Sequence, residues 1–303
     1  MLMSEVIRIG MIGLDTSHCP AFAGILNDPR HEWHVPGARV VAAWPGGSPQ
    51  FSLSRNRVAG FTEELRDKHG VAIVDSIEAL AGGVDAILLE SVDGRQHLEQ
   101  FQRCAAGKPV FIDKPFATSS ADARAILRHA ERTRTPVMSC SSLRYAAGIQ
   151  DLVPQGEAVQ SCEAFGPAAI LDDYPGLFWY GVHAAEVLFA FMGAGCRQAR
   201  CLSSRDADVA VGEWADGRAG VLRGTRVERG EFGCVVHTSA ATRASLAQPK
   251  PPYYYTMLRR ILEFFRAGTS PIPAEETFEI VAFLEAADRS KALGGAAVST
   301  EKL

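Results

Sequence analysis

The sequence has no dense run of lysine or arginine. Its 31 basic residues stand against 35 acidic ones in 303, a net charge of -4, so it has no basic footprint to hold a nucleic acid. It has no apolar stretch long enough to span a bilayer. The opening Met1–Glu5 runs straight into a short apolar strand, without the basic start and small-residue cleavage site of a secretory signal. The seven cysteines are scattered with no C-x-x-C pair, which leaves no local zinc or redox motif; buried thiols in a reducing cytoplasm are the expectation. Internal repeats and low-complexity tracts are also missing. What is present is an ordinary globular composition, 47% hydrophobic and 22% charged, which predicts a packed core, and a length that suits two domains.

The first half alternates between two periods. Val6 to Gly13 is an apolar run ending in glycine, followed by the helix-capping Asp15-Thr16-Ser17 and an apolar-periodic stretch from Ala21 to Leu26. Further strands are expected at Arg39–Trp44, Val71–Val74, Val84–Glu90, Pro109–Ile112 and Pro136–Ser139. Helices or helical turns are expected between them at Thr62–His69, Ser76–Leu80, His97–Ala106 and Ser120–Thr133. Strands alternating with helices predict a parallel, doubly wound sheet. After about Leu143 period-2 segments follow one another, at Val159–Phe165, Arg197–Ser203, Val209–Trp214, Gly220–Arg226 and Phe232–Thr238, which favours an antiparallel or mixed sheet. Helices are expected at Tyr180–Met192, Tyr254–Arg266 and Glu275–Leu293. The predicted fold is therefore α/β over residues 1–143 and α+β with a largely antiparallel open sheet over residues 144–303. The closing helix belongs to the second part, with packing back on the first as an alternative.

Ligands of doubly wound sheets bind beyond the carboxyl ends of the strands. At the first such end, Gly13-Leu14-Asp15-Thr16-Ser17-His18 stands where a G-x-G-x-x-G fingerprint would, and keeps only its first glycine. The second glycine, which lets backbone approach a pyrophosphate, is Asp15; the third, which lets helix and strand pack closely, is His18. An ionised Asp15 lying ~5 Å from a phosphate would cost roughly 3 kcal/mol at an effective dielectric near 20. A helix start with Thr16 and Ser17 still offers donors to an anion, and the same three residues serve equally as a helix cap. The second strand ends at Trp44, where an acid would hold a ribose, and runs into Pro45-Gly46-Gly47-Ser48. Ser48 with Arg55 or Arg57 could meet a 2′-phosphate, although a Gly46-Gly47 turn is the simpler reading.

Ser91, Asp93 and His97 crowd the next strand end, where a capped helix start explains them about as well as a ligand does. Phe111-Ile112-Asp113-Lys114-Pro115 sets a lysine at the end of a buried strand, where it can donate to a substrate hydroxyl or to a nicotinamide ribose, although a Lys-Pro at a strand end, taken alone, is more often just solvated. In the second half, Tyr180, His183 and Glu186 are spaced three apart and share a face if the helix has begun at Tyr180. A histidine between a phenol and a carboxylate can move a proton with its tautomer fixed; a partly buried histidine satisfied by its neighbours is the plainer alternative. A metal site on His183 and Glu186 lacks a third ligand, and no metal is expected.

Together these positions resemble the glucose-fructose oxidoreductase/inositol dehydrogenase/rhizopine catabolism family over almost the full chain. The likeness rests on the opening strand-turn-helix, Val84-Asp85-Ala86 with a later His97, and Ala106-Gly107-Lys108-Pro109-Val110 leading into Asp113-Lys114-Pro115. It rests also on Gly181-Val182-His183 and on the closing Ala286-Ala287-Asp288-Arg289-Ser290. The resemblance implies hydride transfer between NAD or NADP and a hydroxyl-bearing carbon of a polyhydroxylated small molecule. It makes Lys114, His183 and Tyr180 the catalytic candidates. Gly13, Leu14, Asp15, Thr16, Ser17, Trp44, Ser91, Asp93, His97, Asp113 and Lys114 become the cofactor candidates; Lys114, Arg144, Trp179, His183 and Glu186 become the substrate candidates. It further implies a homodimer or homotetramer built on an open sheet face. The carboxylate that many members carry four residues before the histidine is Trp179 here, which leaves proton transfer to His183 with Tyr180 or Glu186, or to Asp172 or Asp173. A binding or regulatory relative without hydride chemistry is the competing expectation.

Overall fold

The computed structural model describes residues 6–227 and 230–303; the opening Met1–Glu5 lies outside them. The chain forms two compact units, each built on one sheet. The first comprises residues 1–117, 125–139 and 254–272, the second 118–124, 140–253 and 273–303.

In the first unit the order is β1 (Ile7–Ile12), α1 (His18–Asn27), β2 (Ala38–Trp44), α2 (Ser52–His69), β3 (Ala72–Ile73), α3 (Ile77–Gly82), β4 (Ala86–Leu89), α4 (His97–Cys104), β5 (Val110–Asp113), α5 (Ser120–Thr133) and β6 (Val137–Cys140). The sheet order is β3-β2-β1-β4-β5-β6, with parallel pairing from β3 across to β5. Strands β4 and β5 are buried at every position, as central parallel strands covered on both faces must be, and this is why they read as unbroken apolar runs. The strand order reverses between β1 and β4, so the crevice beyond their carboxyl ends is the place where such sheets receive ligands.

The second unit continues with β7 (Val159–Pro167), α6 (Gly181–Met192), β8 (Cys196–Ser203), β9 (Ala207–Trp214), β10 (Ala219–Thr225), β11 (Gly233–Thr238) and β12 (Thr242–Leu246). Helix α7 (Tyr253–Ala267) returns to the first unit, and α8 (Ala274–Ala292) with β13 (Val298–Ser299) closes the second. Its seven strands run β12-β11-β7-β10-β9-β8-β13. All the described pairings are antiparallel except β7 with β10. Helices α6 and α8 pack on this sheet. Strand β9 alternates buried and part-exposed residues, the signature of a sheet with one covered face.

Several element boundaries differ from the sequence reading. Helix α2 begins at Ser52, ten residues before the expected Thr62, because only Ser54 and Leu65 of its eighteen residues are buried and a solvated helix carries no apolar stripe to read. Strand β12 was not anticipated; it is an edge strand with no fully buried residue. Where one boundary was expected between residues 143 and 144, the units exchange segments, and the helix that joins the first unit is α7 rather than the closing α8.

Candidate functional site

The turn after β1 is drawn tight against its neighbours. Gly13 has φ +82°, and a Cβ there would lie 2.6 Å from the backbone of Ser91, so only glycine suits the position. The N–H groups of Gly13 and Leu14 donate to the carbonyls of Trp44 and Pro45 at 3.0 and 2.7 Å. Asp15 is fully buried and turned to protein partners: its Oδ1 accepts from the Val92 N–H at 2.8 Å and its Oδ2 from the Ser54 hydroxyl at 2.6 Å. Burial raises its pKa, and the bonds from Ser54 and Val92 offset only part of this.

The β2 end is equally self-contained. Gly46 and Gly47 both have positive φ, which is the turn reading. The Ser48 hydroxyl is buried and donates to Asp93 Oδ2 at 2.6 Å, while Arg55 donates to the Pro49 carbonyl; the suggested 2′-phosphate grip by Ser48 is thus not formed, because its hydroxyl is committed to a carboxylate. Asp93 also receives Arg95 Nε at 2.8 Å. Burial works against its charge, but the bonds from Arg95 and Ser48 outweigh it and hold the carboxyl below its ordinary value. The His97 ring lies between the Ser91 carbonyl at 2.7 Å and the Phe116 carbonyl at 3.2 Å and so braces the β4 and β5 loops. Trp44 is half-buried, with the Arg103 guanidinium 5.8 Å from its ring centre.

A buried cluster lies where β1, β4 and β5 end side by side. His18, the first residue of α1, places Nδ1 3.3 Å from Glu90 Oε2 and 3.2 Å from Asp113 Oδ2. Its ring packs against Phe22 and, edge-on at 4.7 Å, against Tyr254 of α7. Desolvation disfavours the imidazolium, yet the Asp113 and Glu90 carboxylates outweigh it and raise the His18 pKa. Burial pushes the Glu90 carboxyl up to about 7, against the pull of His18. Lys114 follows at the mouth of β5, 7% exposed.

In the second unit Tyr180 immediately precedes α6, and His183 lies in its first turn. The His183 ring shares a 2.7 Å hydrogen bond with the Ser141 hydroxyl. Tyr180 and Phe232 flank it edge-on at 5.2 and 5.4 Å, and the Trp179 ring lies tilted against Tyr180, with Tyr174 edge-on to Trp179. Glu186, expected to pair with His183, instead accepts Arg144 Nε at 3.0 Å, and Arg144 also bonds Glu276 of α8. Helical spacing puts Glu186 on the face of His183, but the buried Arg144 guanidinium takes its carboxylate. Burial raises the Glu186 pKa despite Arg144, and the two glutamates keep Arg144 charged against burial. Asp172 is exposed and Asp173 half-buried. Ser141, Glu276, Ser54 and Tyr254 escaped the sequence reading, since each meets its partner across a long stretch of chain and carries no local pattern.

The donor set at the first turn fits a phosphate. Ser17 is exposed and makes no capping bond, no acid lies in the first turn of α1, and Ser54 and Val92 hold the Asp15 carboxylate. The acid that would hold a ribose diol at the end of β2 is absent, and Trp44 stands there instead.

Residues 7–140 match the family model described as "Oxidoreductase family, NAD-binding Rossmann fold". No curated protein matches the sequence. Among solved structures, the chain is similar to myo-inositol dehydrogenase from Lactobacillus casei in complex with NAD(H) and myo-inositol, at 15% identity and TM-score 0.76 with 98% of each chain covered. It is similar to myo-inositol 2-dehydrogenase from Lactobacillus plantarum, at 15% identity and TM-score 0.74 with 98% of this chain and 100% of that one covered. It is also similar to GenD2 from gentamicin A biosynthesis in complex with NAD, at 15% identity and TM-score 0.75 with 99% and 98% covered. At such identities the structures speak for the fold, and the sequence match is to the NAD-binding Rossmann-fold oxidoreductase family over residues 7–140, somewhat less than half of the chain.

Proposed function

We infer that this protein is a nicotinamide-dependent oxidoreductase acting on a hydroxyl-bearing carbon of a sugar, cyclitol or related polyol. The observation that carries the reading is Lys114, nearly buried at the carboxyl end of β5 within the family-matched segment, where a doubly wound sheet presents its ligands. NAD or NADP, when bound, supplies the hydride acceptor or donor. The start of α1, with Thr16 and Ser17, would hold its phosphates, with Gly13 and Ser91 walling the turn. Lys114 Nζ orients the reacting hydroxyl as a donor. In the second unit His183 carries a ring nitrogen that can take a proton, and Ser141 fixes the ring. Half-buried Trp179 and Tyr180 offer flat apolar faces suited to the C–H side of a polyol, while Arg144 and Glu186 brace the helix beneath. Among the described residues no helix is long and apolar enough to cross a membrane, and all seven cysteines are free and buried, which suits the cytoplasm. The part-exposed face of the second sheet is the surface on which a homodimer or homotetramer would form.

A second reading, a metabolite binder without hydride chemistry, draws on Asp15, which fills the second-glycine position and ties the β1 turn to Ser54 and Val92. One experiment separates the two: NADH and NADPH are titrated against the quenching of tryptophan fluorescence, with Lys114→Ala in parallel, followed by a polyol screen with the preferred cofactor. Saturable binding, and turnover lost by orders of magnitude in Lys114→Ala while its fold is kept, is the expected result. Absence of binding at millimolar cofactor, or full activity in Lys114→Ala, overturns the oxidoreductase reading.

A further inference from the structure

We propose that His18, Glu90 and Asp113 form a binding site for one divalent first-row transition ion. This goes beyond the oxidoreductase reading and does not depend on it. One ligand atom from each residue lies within 4.8 Å of the others, and His18 Nδ1 stands 3.3 and 3.2 Å from the two carboxylates. An ion about 2.0–2.2 Å from imidazole and carboxylate ligands holds neighbouring ligand atoms about 3.0–3.5 Å apart, so the two edges that meet at His18 already have the length of those in a coordination shell.

A second observation points the same way. Glu90 Oε1 and both carboxyl oxygens of Asp113 are buried with no well-aligned hydrogen-bond partner among the described residues, and the two residues are 0% and 1% exposed. A protonated His18 answers this arrangement incompletely, because one Nδ1–H is shared between two carboxylates, and the Lys114 backbone N–H adds a bond to Asp113 but none to Glu90 Oε1. Two carboxylates buried side by side repel each other, and desolvating them costs several kcal/mol per ion unless a cation lies between them. A divalent ion takes several lone pairs at once and leaves the site neutral with a neutral imidazole.

The scaffold is suited to the task. The three ligands come from the start of α1, the residue after β4 and the last residue of β5, on strands adjacent in the sheet, so their positions are set by the core rather than by a loop. His18 occupies the third-glycine position, and its side chain takes the space that glycine leaves to close packing. One imidazole and two carboxylates favour zinc, manganese, iron or cobalt over the soft copper(I) ion, and over calcium or magnesium, which take oxygen ligands. Cys19 beside the site is not part of the set, since its thiol donates to the Gly13 carbonyl.

The test uses the full chain, stripped with chelator and titrated with Zn²⁺ by calorimetry and with Co²⁺ by visible absorption, without any nucleotide. One equivalent binding in the micromolar range or tighter is expected, with a Co²⁺ spectrum of low coordination number. Loss of an outer partner of a metal ligand weakens binding 10–100-fold, so Glu90→Gln and His18→Gln, checked for folding by thermal melts, should each weaken it by about 100-fold or more. His31→Gln, on the surface away from the cluster, should leave the stoichiometry unchanged. Binding no tighter than about 100 μM, or unaltered binding in Glu90→Gln/Asp113→Asn, overturns the proposal. Because the readout is metal alone, either result is independent of whether a nicotinamide binds.

Discussion

The buried triad Arg144–Glu186–Glu276 offers a sharp test of the electrostatics in the second unit. Arg144→Met keeps most of the side-chain volume but leaves Glu186 and Glu276, 4% and 8% exposed, without the cation that holds them. Removing one partner of a buried ion pair costs roughly 3–5 kcal/mol. Glu186 can escape by taking a proton, which from an ordinary glutamate value costs about 3.7 kcal/mol at pH 7 and about 1 kcal/mol at pH 5. That cost caps the share of the penalty that falls on Glu186, and it makes the sign of the pH dependence clear. A carboxyl whose folded pKa is raised above its unfolded value loses stability as pH rises, so the variant should suffer more at pH 7 than at pH 5. For a cooperative unit of about 150 residues, the loss corresponds to a fall in melting temperature of roughly 6–20 °C at neutral pH, shrinking to a few degrees at pH 5. Scanning calorimetry at both pH values measures it. Arg144→Met/Glu186→Gln/Glu276→Gln should regain most of the loss, because no bare charge is left buried. A loss that is the same at both pH values, or one that persists in the triple variant, refutes the reasoning.

Gly13→Ala must push the β1 turn away from Ser91, whose Oγ would lie 2.2 Å from the new Cβ, at a φ that alanine resists; urea unfolding should show a loss of at least about 2 kcal/mol, and a change below about 0.5 kcal/mol would contradict the geometry. Asp208 is fully buried between Arg226 at 2.6 Å and Lys291 at 3.0 Å. Burial opposes its charge, but Arg226, Ser203 and Lys291 prevail and lower its pKa. A lowered folded pKa gives stability that is present above the ordinary aspartate value of about 3.9 and lost as pH falls through the folded value. The stability gap between wild type and Asp208→Asn should therefore close between about pH 5 and pH 2, and a gap that stays constant in acid melts would exclude the assignment.

The limits of local pattern show at particular residues. The unbroken apolar runs Ala86–Leu89 and Val110–Asp113 announce buried parallel strands, and the dipeptide Asp113-Lys114 marks a strand end, because burial on both faces and a chain leaving a sheet leave their trace in neighbouring residues. The first ten residues of α2 and all of β12 leave no such trace, since a helix or edge strand in contact with water is under no demand for an apolar period. Glu186 shows the other limit: its spacing from His183 was legible, but its true partner, Arg144, lies 42 residues away.

The sequence by itself determined a doubly wound first half, a sheet-rich second half, the loss of two fingerprint glycines and the placing of Lys114 at a strand end, all of them matters of period and of near neighbours along the chain. Only the tertiary structure decided where the charges go. It turned Asp15 to Ser54 and Val92, gave Ser48 to Asp93, set His18 between Glu90 and Asp113 under Tyr254, and left His183 to Ser141. A buried charge must find its partner in space, and strands that are neighbours in a parallel sheet are separated by a helix and two loops in the chain.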